Sequence, residues 1–100
     1  MFEYVELDEA LVDKDDISKY YPKNVQSKFD RIVKDILSNP RNKVAIGRPE
    51  RLKHVQIETW SRELTQKDRI LYSIEPGKKH GFLDEEIVVF HHYLGHYDDK

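Results

Sequence analysis

The apolar side chains of this chain keep two different rhythms, and the change between them limits the fold more than any compositional figure. Val25, Phe29, Ile32, Val33, Ile36 and Leu37 fall at i, i+4, i+7, i+8, i+11 and i+12. That is one apolar stripe on a helix of about four turns. SNP at 38–40 stops it, and Pro22 both ends the preceding segment and sits where a new helix can start. That preceding segment, LDEALVDKDDISKYY at 7–21, has Leu7, Ala10 or Leu11, Ile17 and Tyr20 or Tyr21 near helical spacing. Its acids cluster toward the start, where they complement the helix dipole. Elsewhere the period is two. FEYVEL at 2–7 alternates apolar and acidic residues. VQIETWSRELT at 55–65 puts Val55, Ile57 and Thr59 on one face, with a change of register near Trp60 that puts Trp60 and Leu64 on the other. RILYSIE at 69–75 is rich in β-branched and aromatic residues, EPGKKHGFLDEE at 75–86 reads as a long polar hairpin loop, and EIVVFHHYL at 86–94 is the most apolar strand. The expectation is an α+β domain spanning 1–100. Two N-terminal helices pack on one face of a mostly antiparallel sheet of about four strands, in the order β-α-α-β-β-β.

A chain of 100 residues supports one hydrophobic core. It contains no run of about 18 apolar residues, so no membrane span and no membrane partner are expected. The acidic N-terminus MFEYVELDEA lacks the basic start and apolar centre of a secretion signal, and zero cysteines exclude disulfide and thiolate chemistry. Both fit a cytoplasmic protein. The net charge of −2 hides a segregation: residues 1–16 balance to −6, 17–40 to +3, 41–80 to +5 and 81–100 to −4. A basic middle flanked by acid can face a polyanion locally.

The most concentrated chemistry lies in RPERLKH at 48–54, where Arg48, Glu50, Arg51, Lys53 and His54 crowd around a single large apolar residue, Leu52. A solvated loop is one reading. The other is a site that handles phosphate and protons. Cleaving an RNA phosphodiester without a metal takes a base for the 2′-hydroxyl, a cation for the phosphate and an acid for the departing 5′-oxygen. Glu50 can serve as base, Arg69 as a bidentate cation, and His96, beside Tyr97, as an acid that titrates near neutrality. An antiparallel meander permits these distant residues to meet at one sheet edge. Taken singly, each is also an ordinary surface group. His92 and His96 would converge on a metal only on a helix, whereas EEIVVFHHY favours a strand in which His91 and His92 point to opposite faces. No metal and no cofactor are expected. GKKHG lacks the P-loop pattern, and Ser61 and Ser73 lack nucleophile-elbow surroundings.

Four segments taken in order add to this reading: FDRIVKDILSNP at 29–40, GRPERLKH at 47–54, WSRELTQKDRILYSI at 60–74 and GHYDDK at 95–100. Together they resemble the Txe/YoeB family of bacterial toxins, within the RelE/ParE superfamily. The resemblance implies a type II toxin that cleaves messenger RNA in the ribosomal A site, inhibits translation and is held inactive by a cognate antitoxin. A homodimer is an open possibility. It also implies roles: Glu50 as general base, Arg69 stabilising the phosphorane, His96 protonating the leaving oxygen and Tyr97 positioning the substrate. Lys53, Arg48, Arg51 and Arg62 would attract phosphate. The implied product carries a 2′,3′-cyclic phosphate. Two features depart from the family. The first 22 residues lack its tryptophan-rich first helix, and the 75–86 loop is longer than its tight turn. HHY at 91–93 offers a rival His–Tyr pair, but GHYDDK is where the family's chain ends. Two other readings use the same scaffold: a non-catalytic ParE-like inhibitor of DNA gyrase, and a protein-binding module acting through a sheet edge.

Overall fold

The computed structural model describes residues 1–96. The chain runs through β1 (Tyr4–Glu6), α1 (Asp8–Tyr20), α2 (Lys23–Ser38), β2 (Glu50–Arg51), β3 (Thr59–Glu63), β4 (Arg69–Pro76), a short 3-10 helix (Gly77–His80) and β5 (Glu86–Gly95). The strands form one sheet in the order β1-β5-β4-β3-β2. β1 lies parallel to β5 and every other pair is antiparallel. The α+β class and the paired helices are as the periodicity predicts. The sheet has five strands rather than about four. The additional one, β2, is two residues long, and its charged Glu50–Arg51 carries no apolar alternation to announce it.

α2 buries the stripe that defines it: Phe29, Ile32, Ile36 and Leu37 are buried, with Val25 and Val33 packed at their margin. Pro22 accepts hydrogen bonds from the backbone N–H groups of Val25 and Gln26 through its carbonyl, so the residue that ends α1 also opens α2. α1 buries only Ala10 and Ile17, and its DKDD run does not break it. One of those acids faces inward. Asp13 Oδ2 accepts from the backbone N–H groups of Tyr93 at 3.0 Å and Leu94 at 2.9 Å. β1 pairs only with Val88, Val89 and Phe90, so Asp13 serves the stretch of β5 that β1 does not reach.

Ile70, Tyr72 and Ile74 of β4, and Val88, Phe90 and Tyr93 of β5, join the helix residues in the core. Tyr72 donates its hydroxyl to the Pro40 carbonyl at 2.8 Å, and burial pushes its phenol up to about 12. Tyr93 donates to Glu6, and burial together with that carboxylate raises its phenol strongly. Phe29 meets the Tyr93 ring edge-on, with centroids 4.7 Å apart. Tyr93 is therefore a core residue rather than an exposed partner for His91 or His92.

Three stretches differ from their sequence pattern. Residues 55–58 do not belong to β3, because the Leu52 N–H bonds to the Thr59 carbonyl at 2.8 Å and closes a hairpin whose loop takes in Val55 and Ile57. The long 75–86 loop is shorter than expected. β4 continues through Pro76, the 3-10 helix takes four residues, and the Gly77 N–H reaches the Glu85 carbonyl at 3.0 Å. β5 also gains residues on β4. Tyr72 faces Phe90, Leu71 faces His92 and Arg69 faces Gly95, so β5 carries two irregular steps. His91 and His92 consequently do not follow simple alternation.

Candidate active site

The sheet has one face covered by helices and one open face, and strand alternation sorts the candidate residues between them. On β3, Trp60 and Arg62 share the helix side with Leu64 just past the strand's end and are buried, which leaves Ser61 and Glu63 on the open side. Directly paired residues share a face. Glu50 therefore faces the open side opposite Ser61, and Arg69 joins it between Glu63 and Gly95. The meander brings three distant segments to one end of the sheet.

Arg69 is the centre of this cluster. Its Nε and Nη2 both donate to Ser61 Oγ, at 3.2 and 3.1 Å, and Nη2 lies 3.4 Å from Glu50 Oε1. Its side chain is 16% exposed and that of Glu50 is 49% exposed, so the pair sits at a surface rather than in the core. His96 follows Gly95, the β5 residue that pairs with Arg69, and is exposed. A Cβ at Gly95 would meet Leu71 Cδ1 at 2.9 Å and the Arg69 carbonyl at 3.2 Å, so glycine permits the close approach of β5 that carries His96 toward Arg69. Tyr97 lies outside the described residues.

The chain entering Glu50 turns on two consecutive left-handed residues, Gly47 at φ +88° and Arg48 at φ +49°. Only glycine fits the first without strain, and a Cβ there would also press on the Glu63 carbonyl and Arg62. Arg48 itself is 86% exposed, with Nη1 3.6 Å from Glu63 Oε1. Lys53 is exposed on the loop after β2, and His54 beyond it is again left-handed, at φ +64°.

Two of the expected phosphate-attracting residues are placed elsewhere. Arg62 is completely buried: Nη2 lies 2.8 Å from Asp35 Oδ2 of α2, and Nη1 donates to the Ile46 carbonyl at 3.0 Å. The sequence held the signal, since Arg62 falls between Trp60 and Leu64 in a period-two run. Arg51 pairs with Trp60, so it faces away from Glu50; the hydrogen bond from Arg41 is what chiefly lowers the Glu58 carboxyl, and the Arg51 charge adds a smaller push.

Two supporting groups were not singled out by sequence reasoning. Ser61 is one. The other is the turn before Arg69, where Thr65 Oγ1 donates to Asp68 Oδ2 at 2.8 Å and accepts from the Asp68 N–H at 3.0 Å. Tyr21, at the junction of the helices, donates to the same Asp68 oxygen at 3.0 Å. Burial and then Asp68 raise the Tyr21 phenol. The spacing T-x-x-D was the available cue.

Further along the open face Glu75 is buried, takes a hydrogen bond from Ser73, and sits 2.8 Å from His80 Nε2. Burial raises its carboxyl, but Ser73 and His80 outweigh that and leave it below the ordinary value. His91 Nε2 stands 2.8 Å from Ser73 Oγ, and burial lowers its imidazole. This network pins the 3-10 helix to β4. Among the described residues no group of three or more His, Asp or Glu is arranged to hold a metal, and no helix is long and apolar enough to cross a membrane.

A small α+β domain with a carboxylate–arginine pair on the open face of its meander has the fold of the RelE/YoeB toxins. The family model described as "YoeB-like toxin of bacterial type II toxin-antitoxin system" matches residues 13–97, and the chain belongs to that family. The match leaves out β1 and the first five residues of α1, which are part of the 22-residue stretch where the sequence departs from the family. Among solved structures the chain is similar to the YoeB/ParE toxin from Agrobacterium tumefaciens, at 20% identity and TM-score 0.74 over 95% of this chain and 99% of that one. It is also similar to the YoeB dimer from Staphylococcus aureus, at 21% identity and TM-score 0.71 over 96% and 98%. A third similar structure is the heterotetrameric YoeB–YefM toxin–antitoxin complex from Staphylococcus aureus, at 20% identity and TM-score 0.70 over 97% and 99%. No curated protein sequence matches the chain.

Proposed function

We propose that this toxin is a ribosome-dependent endoribonuclease that cleaves messenger RNA in the A site and so inhibits translation in the cytoplasm. The observation that carries the reading is the meeting of Glu50 and Arg69 at 3.4 Å on the open face, with His96 one residue beyond the β5 partner of Arg69. Glu50 takes the proton from the 2′-hydroxyl, which attacks the adjacent phosphorus. Arg69 stabilises the charge that accumulates on the phosphorane oxygens, and His96 gives a proton to the departing 5′-oxygen. The products are a 2′,3′-cyclic phosphate and a free 5′-hydroxyl. Side chains alone supply the base, the cation and the acid. Tyr97 positions the substrate, and Lys53 and Arg48 attract the phosphate backbone. Arg62 and Arg51 have no part in this scheme, because one is sealed in the core and the other faces away.

We also propose a cognate antitoxin as the protein partner, by analogy with the YoeB–YefM complex among the similar structures. A reconstituted translation reaction tests the nuclease reading. The expected result is new message ends that need ribosomes, with a cyclic phosphate on the upstream fragment. Intact message, together with inhibited supercoiling by gyrase, would contradict it and favour the ParE-like alternative.

A further inference from the structure

Ser61 is wholly buried on the open side of β3, and its hydroxyl is occupied by a single neighbour. Arg69 Nε and Nη2 both donate to Ser61 Oγ, at 3.2 and 3.1 Å, so two N–H groups of one guanidinium share one oxygen. A serine hydroxyl has two acceptor lone pairs. That capacity matches the two donors Arg69 presents. Nη2 also lies 3.4 Å from Oε1 of Glu50, the residue that pairs with Ser61 across β2 and β3. Ser61 thus holds Arg69 directly and stands opposite Glu50 in the register.

We propose that Ser61 is a positioning residue: it fixes the plane of the Arg69 guanidinium and, through it, the direction from which that cation meets the phosphate. The inference rests on the nuclease reading and extends it to a residue that never touches substrate. An arginine side chain is long and rotamer-rich, and a cation that must be reoriented as the phosphorane forms stabilises it less than one already set in place. Nε and Nη2 lie on one edge of the planar guanidinium. Holding both on one buried oxygen leaves the plane no rotation about the long axis of the side chain. Backbone register alone would not do this, since Arg69 stands opposite Glu63 and Gly95 and reaches Ser61 only diagonally.

Ser61→Ala tests this through Arg69. Single-turnover cleavage on programmed ribosomes is expected to slow about 10²-fold, with binding to the ribosome unchanged. In an Arg69→Ala background the same substitution is expected to cost nothing further, because its effect runs through the missing side chain. A loss from Ser61→Ala that persists undiminished without Arg69, or wild-type rates in Ser61→Ala, would overturn the proposal. A second measurement does not depend on RNA. By NMR, the Arg69 Nε–H proton is expected to exchange slowly with water in the wild type and much faster in Ser61→Ala. Equal exchange in both would overturn the pinning itself. Failure of the nuclease reading shows separately, as intact message with the wild-type protein.

Discussion

Arg62 and Arg69 are the same residue type on adjacent strands of one sheet, and the sheet treats them in opposite ways. Arg62 points to the helix side, is completely buried, and is held by Asp35 and the Ile46 carbonyl. Arg69 points to the open side, keeps 16% of its side chain exposed, and is held by Ser61 and Glu50. A buried guanidinium is tolerated only with a counter-charge and hydrogen bonds, and those bonds commit it to the fold. At the surface end of the meander the same group stays partly exposed. Charge alone therefore says little about a role. Which face the alternation selects, and what already holds the group there, says much more.

The sharpest way to break this comparison is to remove each arginine in turn. Arg69→Ala is expected to slow cleavage about 10³-fold or more while the thermal midpoint moves by only a few degrees. Arg62→Ala is expected to do the reverse: denaturant unfolding should show a loss of about 3 kcal/mol, with cleavage per folded molecule close to wild type. Replacing the pair together, Arg62→Met with Asp35→Leu, should recover most of that loss, since no charge is then left without its partner. An Arg62→Ala protein that melts normally and no longer cleaves would return Arg62 to the site.

Arg41 sharpens the contrast with a third case. Its guanidinium bridges Glu58, at 2.9 Å from both Nε and Nη2, and Glu86, at 2.8 and 3.1 Å. Arg41 holds the Glu58 and Glu86 carboxyls below their ordinary value, and the two carboxylates raise its own strongly. Both carboxyls are depressed by folding. Their contribution is complete above the unfolded carboxylate range and is lost as pH falls through the lowered folded values. Arg41→Gln is expected to cost about 1 kcal/mol at neutral pH, discounted for exposure. Its deficit against the wild type should shrink in melts below about pH 4.5. A deficit constant with pH would mean that the bridge contributes through packing alone.

Much of the fold was legible because long periodic segments bury what they advertise. The α2 stripe and the β4 and β5 runs are core. β2 was not legible, because a two-residue strand is defined by its pairing with β3 and not by its own pattern. Val55 and Ile57 alternated correctly yet lie in a loop, since the hydrogen bond from Leu52 to Thr59 closes the hairpin before them. In the candidate site, Glu50, Arg69 and His96 were singled out through motif resemblance, and the register puts Glu50 beside Arg69 and His96 one residue past the β5 partner of Arg69. Ser61 was hidden. A small polar residue beside a tryptophan carries no signal until its cross-strand neighbours are known.

The most direct test of the account is to map the 5′ ends of one message on programmed ribosomes, with wild-type protein and Glu50→Gln matched for folding by their melting curves. Cuts within the A-site codon that appear with the wild type and fall at least about 10²-fold in Glu50→Gln are the predicted result. Cuts that survive Glu50→Gln at full rate would contradict it, because the open-face pair would then not be where the 2′-hydroxyl loses its proton.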